Sequence, residues 1–547
     1  MPTPPRSARR TWRALLGTLV VGLVLLAACS SDAPTSDAEP PPSSSDPVET
    51  GPSAGGTLDI AVPTGPMAWS PAGPAWTSAE LQAARAVYDR LLVRDANDIP
   101  AMELADKVQP NADYTVWTIS LRPGVTFHDG TPFDAAAVAA NLEAQRLAPD
   151  AAALLDPIET ITTVGSVAVV LTMNSPWSTF PQVLTTQVGT IAAPAVLDGR
   201  SSTPIGTGPF AFASAGLDGS IELTRNPAYW KAGLPYLDAV RLVPMADASA
   251  RVDAVLGGTA DMVSVDEPRQ LTRLDDLPED GAVTLHEDRN GERPKVAIAF
   301  ETGRPPFDHI TARRAVVLAT DRQVILEKVF DGQGSISRGI ISDASPWFSD
   351  HSSPSRDISR AKEQAEKYTE DTGEDIEFTM LVPPDPTIAH VASMWRLQLA
   401  EAGIDVQLQP VAADALDAAM VFGQYQSAIV DGFASPHPDL YEPLLRGIPA
   451  EQPVVSSNYT RYVNPIVTEA YADARATGDA TRQVDDYRIV QEQLSIDNPW
   501  LFLVQVRSVV LASSSLRDVT EWTAGSGSAA LSEEAATVSL AQIWIDE

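Results

Sequence analysis

The sequence predicts an α/β fold organised in more than one domain. Segments of helical period and segments of alternating period follow one another along the chain, which indicates helices packed on sheets. From Thr57 onward the composition is that of a globular protein, and a length of 547 residues exceeds what one core usually organises. In chain order, Thr57–Val62 alternates as a strand, and residues 81–92 carry helical spacing. Residues 115–121 read Thr-Val-Trp-Thr-Ile-Ser-Leu, alternating again and closed by the turn pair Pro123-Gly124. Residues 134–147 form a helix with Asp134 as its N-cap. Residues 359–368 and 390–402 read as helices, each followed by a strand, at 376–382 and 404–408. A strand at 427–430 and a helix at 486–494 complete the pattern, with no internal repeat of fixed period.

The net charge of -34 is spread along the chain rather than gathered in a tail. Phosphate binding needs a basic face, so nucleic acid is excluded as an expected partner. The six histidines form no H-E-x-x-H or close pair, and no phosphate or dinucleotide fingerprint appears, so neither a metal nor a cofactor is expected. His128 beside Asp129 could suggest a general base, but it sits in a turn and reads as structural.

Arg6, Arg9, Arg10 and Arg13 precede an uncharged run over residues 14–28, and small residues lead into Cys29. These are the three zones of a secretory signal peptide. The run is too short to span a bilayer comfortably, and no later segment offers the ~20 apolar residues a membrane helix needs. Cys29 is the only cysteine, so no internal disulfide can form and the fold must rest on its core. The tetrad Leu26-Ala27-Ala28-Cys29 resembles the lipobox of bacterial lipoproteins. That resemblance implies cleavage before Cys29, lipidation of its thiol and acylation of the new amino terminus. Two or more chains hold a protein on a membrane stably. The expected location is the cell envelope, on the outer face of the cytoplasmic membrane. Residues 1–28 are then the signal peptide, and residues 29–56, rich in Ser, Pro, Asp and Glu, a disordered tether. Gly51-Pro52-Ser53-Ala54-Gly55 matches G-x-S-x-G but lacks the flanking strand and helix of a nucleophile elbow.

A set of motifs runs through the remainder. Gly55-Gly56-Thr57-Leu58 is followed by Tyr88-Asp89-Arg90-Leu91-Leu92, and then by the stretch from Trp117 through Arg122-Pro123-Gly124 and Phe127-His128-Asp129-Gly130 to Phe133. Later come Gly206-Thr207-Gly208-Pro209-Phe210, Arg225-Asn226-Pro227-Ala228-Tyr229-Trp230, Pro306-Phe307-Asp308, and Asn464-Pro465 and Asn498-Pro499. In this order they resemble the family-5 extracellular solute-binding proteins, the dipeptide-, oligopeptide- and nickel-binding components of ABC importers. Physically most of these motifs read as scaffold: Gly206 and Gly208 allow close backbone passage or positive φ, and Tyr229-Trp230 packs beneath a turn.

The resemblance implies a two-lobed periplasmic-binding-protein-like fold of the type II, cluster C kind, with interleaved lobes joined by a two-crossing hinge. Lobe I would take residues 57–290 plus 506–547, and lobe II residues 291–505. It also implies a monomeric receptor, not an enzyme, that delivers a peptide or peptide-like solute to an ABC permease with its ATPase. The alternatives are a ligand-sensing receptor of the same fold, or an importer receptor for a metal chelate, opine or oligosaccharide. Relatives that bind peptides follow a buried strand with an aromatic residue and, within a few positions, an aspartate that takes the peptide's ammonium. Here Phe433 fits the aromatic, but the clamp position falls on Ser435 or Pro436, with His437 beyond and Asp439 the nearest later carboxylate. Trp69 and Trp76, in the loop after the first strand, complete the expected ligand contacts.

Overall fold

In the computed structural model, described residues are 51–65, 69–278, 281–287, 293–351, 354–447, 456–532, 534 and 536–546. The signal peptide, Cys29 and residues 29–50 of the expected tether lie outside them. Ser53 is exposed and donates to the Ile545 carbonyl at 3.0 Å, while the Gly55 amide donates to the Tyr236 carbonyl at 2.9 Å. The end of the expected tether is therefore already bonded to the fold, and Ser53 stands on no strand–turn–helix elbow.

Leu58, Ile60, Ala61 and Val62 are all buried, as they must be where both faces of a strand are covered. Thr57–Val62 lies between two parallel partners, Met262–Val265 and Ala239–Pro244, at the centre of a seven-stranded sheet. Val283–Glu287 and Val509–Ser513 extend one side; Ile221–Arg225 and Phe210–Ala215 extend the other. A six-stranded sheet has the order Ser335–Ile336, Trp500–Gln505, Lys295–Phe300, Ser427–Val430, Glu377–Val382 and Asp405–Pro410. The chain passes from the first sheet to the second after Glu287 and returns before Val509.

A third, antiparallel sheet of Ala105–Pro110, Val116–Leu121, Ala168–Met173 and Ile158–Val164 buries every second residue of Val116–Leu121. Trp117, Ile119 and Leu121 share a core with Val138 and Leu142 of the helix Ala135–Leu147. That helix has the expected cap, Asp134, whose carboxylate accepts from the Ala137 amide at 3.0 Å.

Several motifs converge on one carboxylate. Asp89, buried, accepts from the Thr207 hydroxyl at 2.9 Å, the Tyr229 hydroxyl at 3.1 Å and the Trp230 indole at 2.8 Å. A buried carboxylate needs such donors to offset its lost hydration. His128 closes the same region: its Nδ1 accepts from the Gly206 amide at 3.3 Å, so Nε2 carries the proton and donates to the Gly208 carbonyl at 3.0 Å. Both glycines have ordinary φ; their role is close passage, since a Cβ at Gly206 would collide with the Val87 carbonyl and one at Gly208 would meet the Val87 carbonyl carbon at 2.5 Å. Gly206→Ala should therefore cost about 2 kcal/mol, an overpacking effect readable in chemical denaturation. A neutral result would show that the Val87 turn yields freely.

The helix expected over 81–92 runs instead over Ser78–Val87. Thr77 and Glu80 form a capping box at its start. Leu92–Arg94 leaves the helix to pair with Pro100–Met102. Three later helices start earlier than their apolar spacing suggests, at Asp357, Asp385 and Asp479, each an N-cap.

Candidate ligand cleft

The loops and helix ends at the edges of the two large sheets face one another across a cleft of about 400 Å³. From the seven-stranded side it is lined by Asp247, Glu267 and Arg269, and from the six-stranded side by Pro386, Thr387 and His390. Asp247 and Asp385 cap the helices Ala248–Leu256 and Pro386–Ala400, each accepting an amide at 2.8 Å, so these walls are fixed by helix starts.

The region carries negative charge from both sides. Asp266, whose side chain still reaches solvent, has its carboxyl held well above the usual range by crowding among protein atoms, then by Glu267 and by Asp385 from the opposite wall. Asp431, at the end of Ser427–Val430, is raised by crowding and by the same Asp385.

None of the six sequence-predicted ligand residues lines this cleft. Trp69 meets Phe212 edge-on at 6.2 Å, and Trp76 stacks on Tyr88 at 6.3 Å; both pack on the seven-stranded sheet's core. Trp76 also borders a separate cavity of about 60 Å³. Phe433 is wedged against Trp500 at 4.8 Å and Phe502 at 5.7 Å. The Ser435 amide donates to the Tyr441 hydroxyl at 2.9 Å.

His437 is buried, with Trp347 and Tyr487 edge-on to its ring at 4.6 and 5.5 Å, and its Nδ1 accepts from the Asp439 amide at 3.2 Å. Asp439 is 0% exposed. One carboxylate oxygen accepts from Arg475 Nε at 2.7 Å, the other from Trp177 Nε1 at 2.8 Å. Burial would raise its pKa, but Arg475 and these hydrogen bonds outweigh burial and hold it below the usual range. Asp439 is therefore a satisfied internal anion rather than an open ammonium clamp. Phe433, Ser435 and His437 share one loop, and Asp439 follows on the short helical turn Pro438–Tyr441 that His437 caps; Trp69 and Trp76 lie elsewhere.

Sequence reasoning missed Asp247, Asp266, Glu267 and Asp385. The available signals were local: Asp385-Pro386 is an N-cap followed by proline at the first helical position. Among the described residues no group of three metal-ligating side chains occurs, and no helix is long and apolar enough to cross a membrane.

Comparison with known proteins places this geometry. The chain is 26% identical over 440 residues to the glutathione-binding protein GsiB of Pectobacterium atrosepticum, covering 76% of this chain and 82% of that protein. It is 25% identical over 435 residues to GsiB of Escherichia coli K12, with the same coverage. The oligopeptide-binding protein AppA of Bacillus subtilis, solved with a nonapeptide, superposes with a TM-score of 0.73 at 19% identity, over 91% of this chain and 100% of that one. The binding protein AgaA from A. tumefaciens R10, solved with agropinic acid, gives 0.77 at 22% identity, and DppA of Helicobacter pylori with the peptide STSA gives 0.76 at 20%; each covers 90% of this chain and 99% of its own. The fold is thus the two-lobed one of periplasmic binding proteins. The family model for the middle of the bacterial extracellular solute-binding proteins, family 5, matches residues 100–446, and the chain belongs to that family.

Proposed function

We propose that this protein is the capture component of an ABC importer, taking a peptide or peptide-like solute between its lobes and handing it to a membrane permease with its ATPase. The observation that carries this reading is the cleft, whose walls come from both large sheets while only two chain passages join them. Such walls can part and close about a hinge, burying a solute without covalent chemistry. The strands up to Glu287, from Lys295 to Gln505 and at Val509–Ser513 support lobe I as residues 57–290 with 506–547 and lobe II as residues 291–505, the boundary at 290/291 lying outside the described residues; the reading includes a monomer.

The relatives named for glutathione and the neighbours solved with peptides support a peptide-like cargo; the agropinic acid complex marks the opine alternative. With Asp439 committed to Arg475 and Trp177, a free peptide ammonium must find another partner, and leaving it without one costs at least the ~1.5–3 kcal/mol of a charge-assisted hydrogen bond. Extended or N-blocked peptides should therefore outbind free dipeptides unless Asp431 serves. A thermal-shift panel of free dipeptides, N-acetylated peptides, glutathione and agropinic acid tests this, since ligand at roughly 100 times its dissociation constant adds ~2.7 kcal/mol. Strong stabilisation by free dipeptides, lost in Asp431→Asn, would place the clamp at Asp431. Response to agropinic acid alone would replace the peptide reading.

The reading includes a lipid anchor at Cys29, a tether behind it, and residence on the outer face of the cytoplasmic membrane. Cys29→Ser should release the protein from the membrane fraction or stall it as precursor. Normal processing with unchanged membrane partition would refute the anchor.

A further inference from the structure

Trp177 belongs to the core of the small four-stranded sheet, whereas Asp439 and Arg475 belong to the part of the chain that carries the six-stranded sheet. Their contact joins two bodies that lie on opposite sides of the fold's division. The Arg475 guanidinium stands 4.9 Å from the Trp177 ring centre, on the face that attracts cations. Around it, the Ser178 amide donates to the Arg475 carbonyl at 2.7 Å and the Ser178 hydroxyl to the Ala474 carbonyl at 3.2 Å. At the rim, Arg446 holds Glu442 on its own side and reaches Asp156 across the boundary at 2.9 Å.

We propose that Trp177 and the Asp439–Arg475 pair form a latch for the closed state of the cleft, broken each time the lobes part. The distribution of charge makes this reversible. Both members of the ion pair lie on the same side, so opening leaves neither charge unpaired; it rehydrates the pair, exposes the indole and Leu440, which packs on the same core, and frees Gln483 from the Ser178 hydroxyl. Closing desolvates the pair, which is unfavourable, and adds the indole hydrogen bond and the cation–π contact, which are favourable. Opposed contributions of this kind suit a contact that must form and break. Trp177 is then a positioning residue: it touches no solute, yet sets how long the cleft stays shut. The inference rests on the capture cycle proposed above, but its test uses no solute, so an error about cargo leaves it standing.

Hydrogen exchange followed by mass spectrometry on the full ligand-free chain reads the latch through the Ser178 amide, within residues 174–180, with the interior strand Val116–Leu121 as control. In the wild type, residues 174–180 should exchange faster than the control strand. Trp177→Phe keeps an aromatic ring but removes the donor, and should speed exchange at 174–180 about tenfold while leaving the control strand unchanged. Equal acceleration of both segments would make Trp177 a plain core residue and overturn the proposal, as would no acceleration. Wild-type exchange at 174–180 as slow as in the control strand would also overturn it, by making the small sheet one permanent body with the second lobe. Should Trp177→Phe fail to fold, Asp156→Ala removes the rim ion pair while leaving Arg446 on Glu442; acceleration of two- to fivefold confined to 174–180 supports the latch, and none refutes it.

Discussion

Arg475→Met should cost the protein about 3–5 kcal/mol of stability, the usual penalty for removing one partner of a buried ion pair. With the cleft shut, Asp439 has no solvent to turn to, being 0% exposed, and its remaining donor, the Trp177 indole, carries no charge. Glu442 would be affected less, because Arg446 still engages both its carboxylate oxygens at 2.7 Å. Adding Asp439→Asn to Arg475→Met should recover part of the loss by removing the stranded anion, so the double variant should be more stable than the single. Equilibrium urea unfolding monitored by fluorescence measures both. A loss below about 1 kcal/mol for Arg475→Met, within the range of exposed pairs, would mean that the lobes part readily enough for water to reach Asp439 for most of the time.

Between pH 6.5 and 4, His437 should take about 3 kcal/mol from the stability of the fold. Burial pushes this imidazole down to about 4 from its ordinary 6.5, so it stays neutral in the folded protein where the unfolded chain binds a proton. The unfolded state binds more protons throughout this window; stability therefore rises with pH, is fully recovered above about 6.5, and stops falling below about 4. Asp439 works at lower pH: its depressed pKa gives stability that is present above the ordinary carboxylate value and lost as pH falls through the folded one. Glu103 has the opposite sign, since burial raises it to about 7 despite Lys231 beside it, so the His437 contribution must be read as a difference. His437→Gln should flatten the slope relative to wild type. Parallel pH profiles would show that His437 is protonated in the fold.

Much of the scaffold was legible because its signals are local. The alternation in Val116–Leu121, the cap at Asp134 and the buried run Thr57–Val62 each need only their own neighbours to be understood. The motifs around Asp89, Gly206 and Trp230 could be recognised as structural, although only the folded chain reveals that they meet at one carboxylate. The helix read at 81–92 shows where local pattern fails: Leu91 and Leu92 fit helical spacing but are buried in the core of the neighbouring four-stranded sheet. The candidate site was much less legible. Asp439 lies 36 residues from Arg475 and 262 from Trp177, and no periodicity records such separations. The cleft acids failed to register for the converse reason, because a lone Asp before a helix looks like a cap and, at Asp247 and Asp385, is one.

The position of Val509–Ser513 in the first sheet has a consequence for synthesis. This strand lies between Met262–Val265 and Val283–Glu287 and pairs with both. Val283–Glu287 and the second edge of Met262–Val265, whose first edge already pairs with Thr57–Val62, must wait until the ribosome has made roughly 220 residues beyond Glu287, which at 5–20 residues per second takes roughly ten to forty seconds. During that time the first lobe presents an open strand edge, whereas the second lobe's sheet draws only on residues between Lys295 and Gln505 and can be completed as one continuous stretch. The order of folding is thus inverted relative to the order of synthesis: the inserted lobe can mature first, and the lobe begun at Thr57 closes last. On the export route proposed above, a sheet that cannot close until nearly the whole chain exists is itself a delay against premature folding.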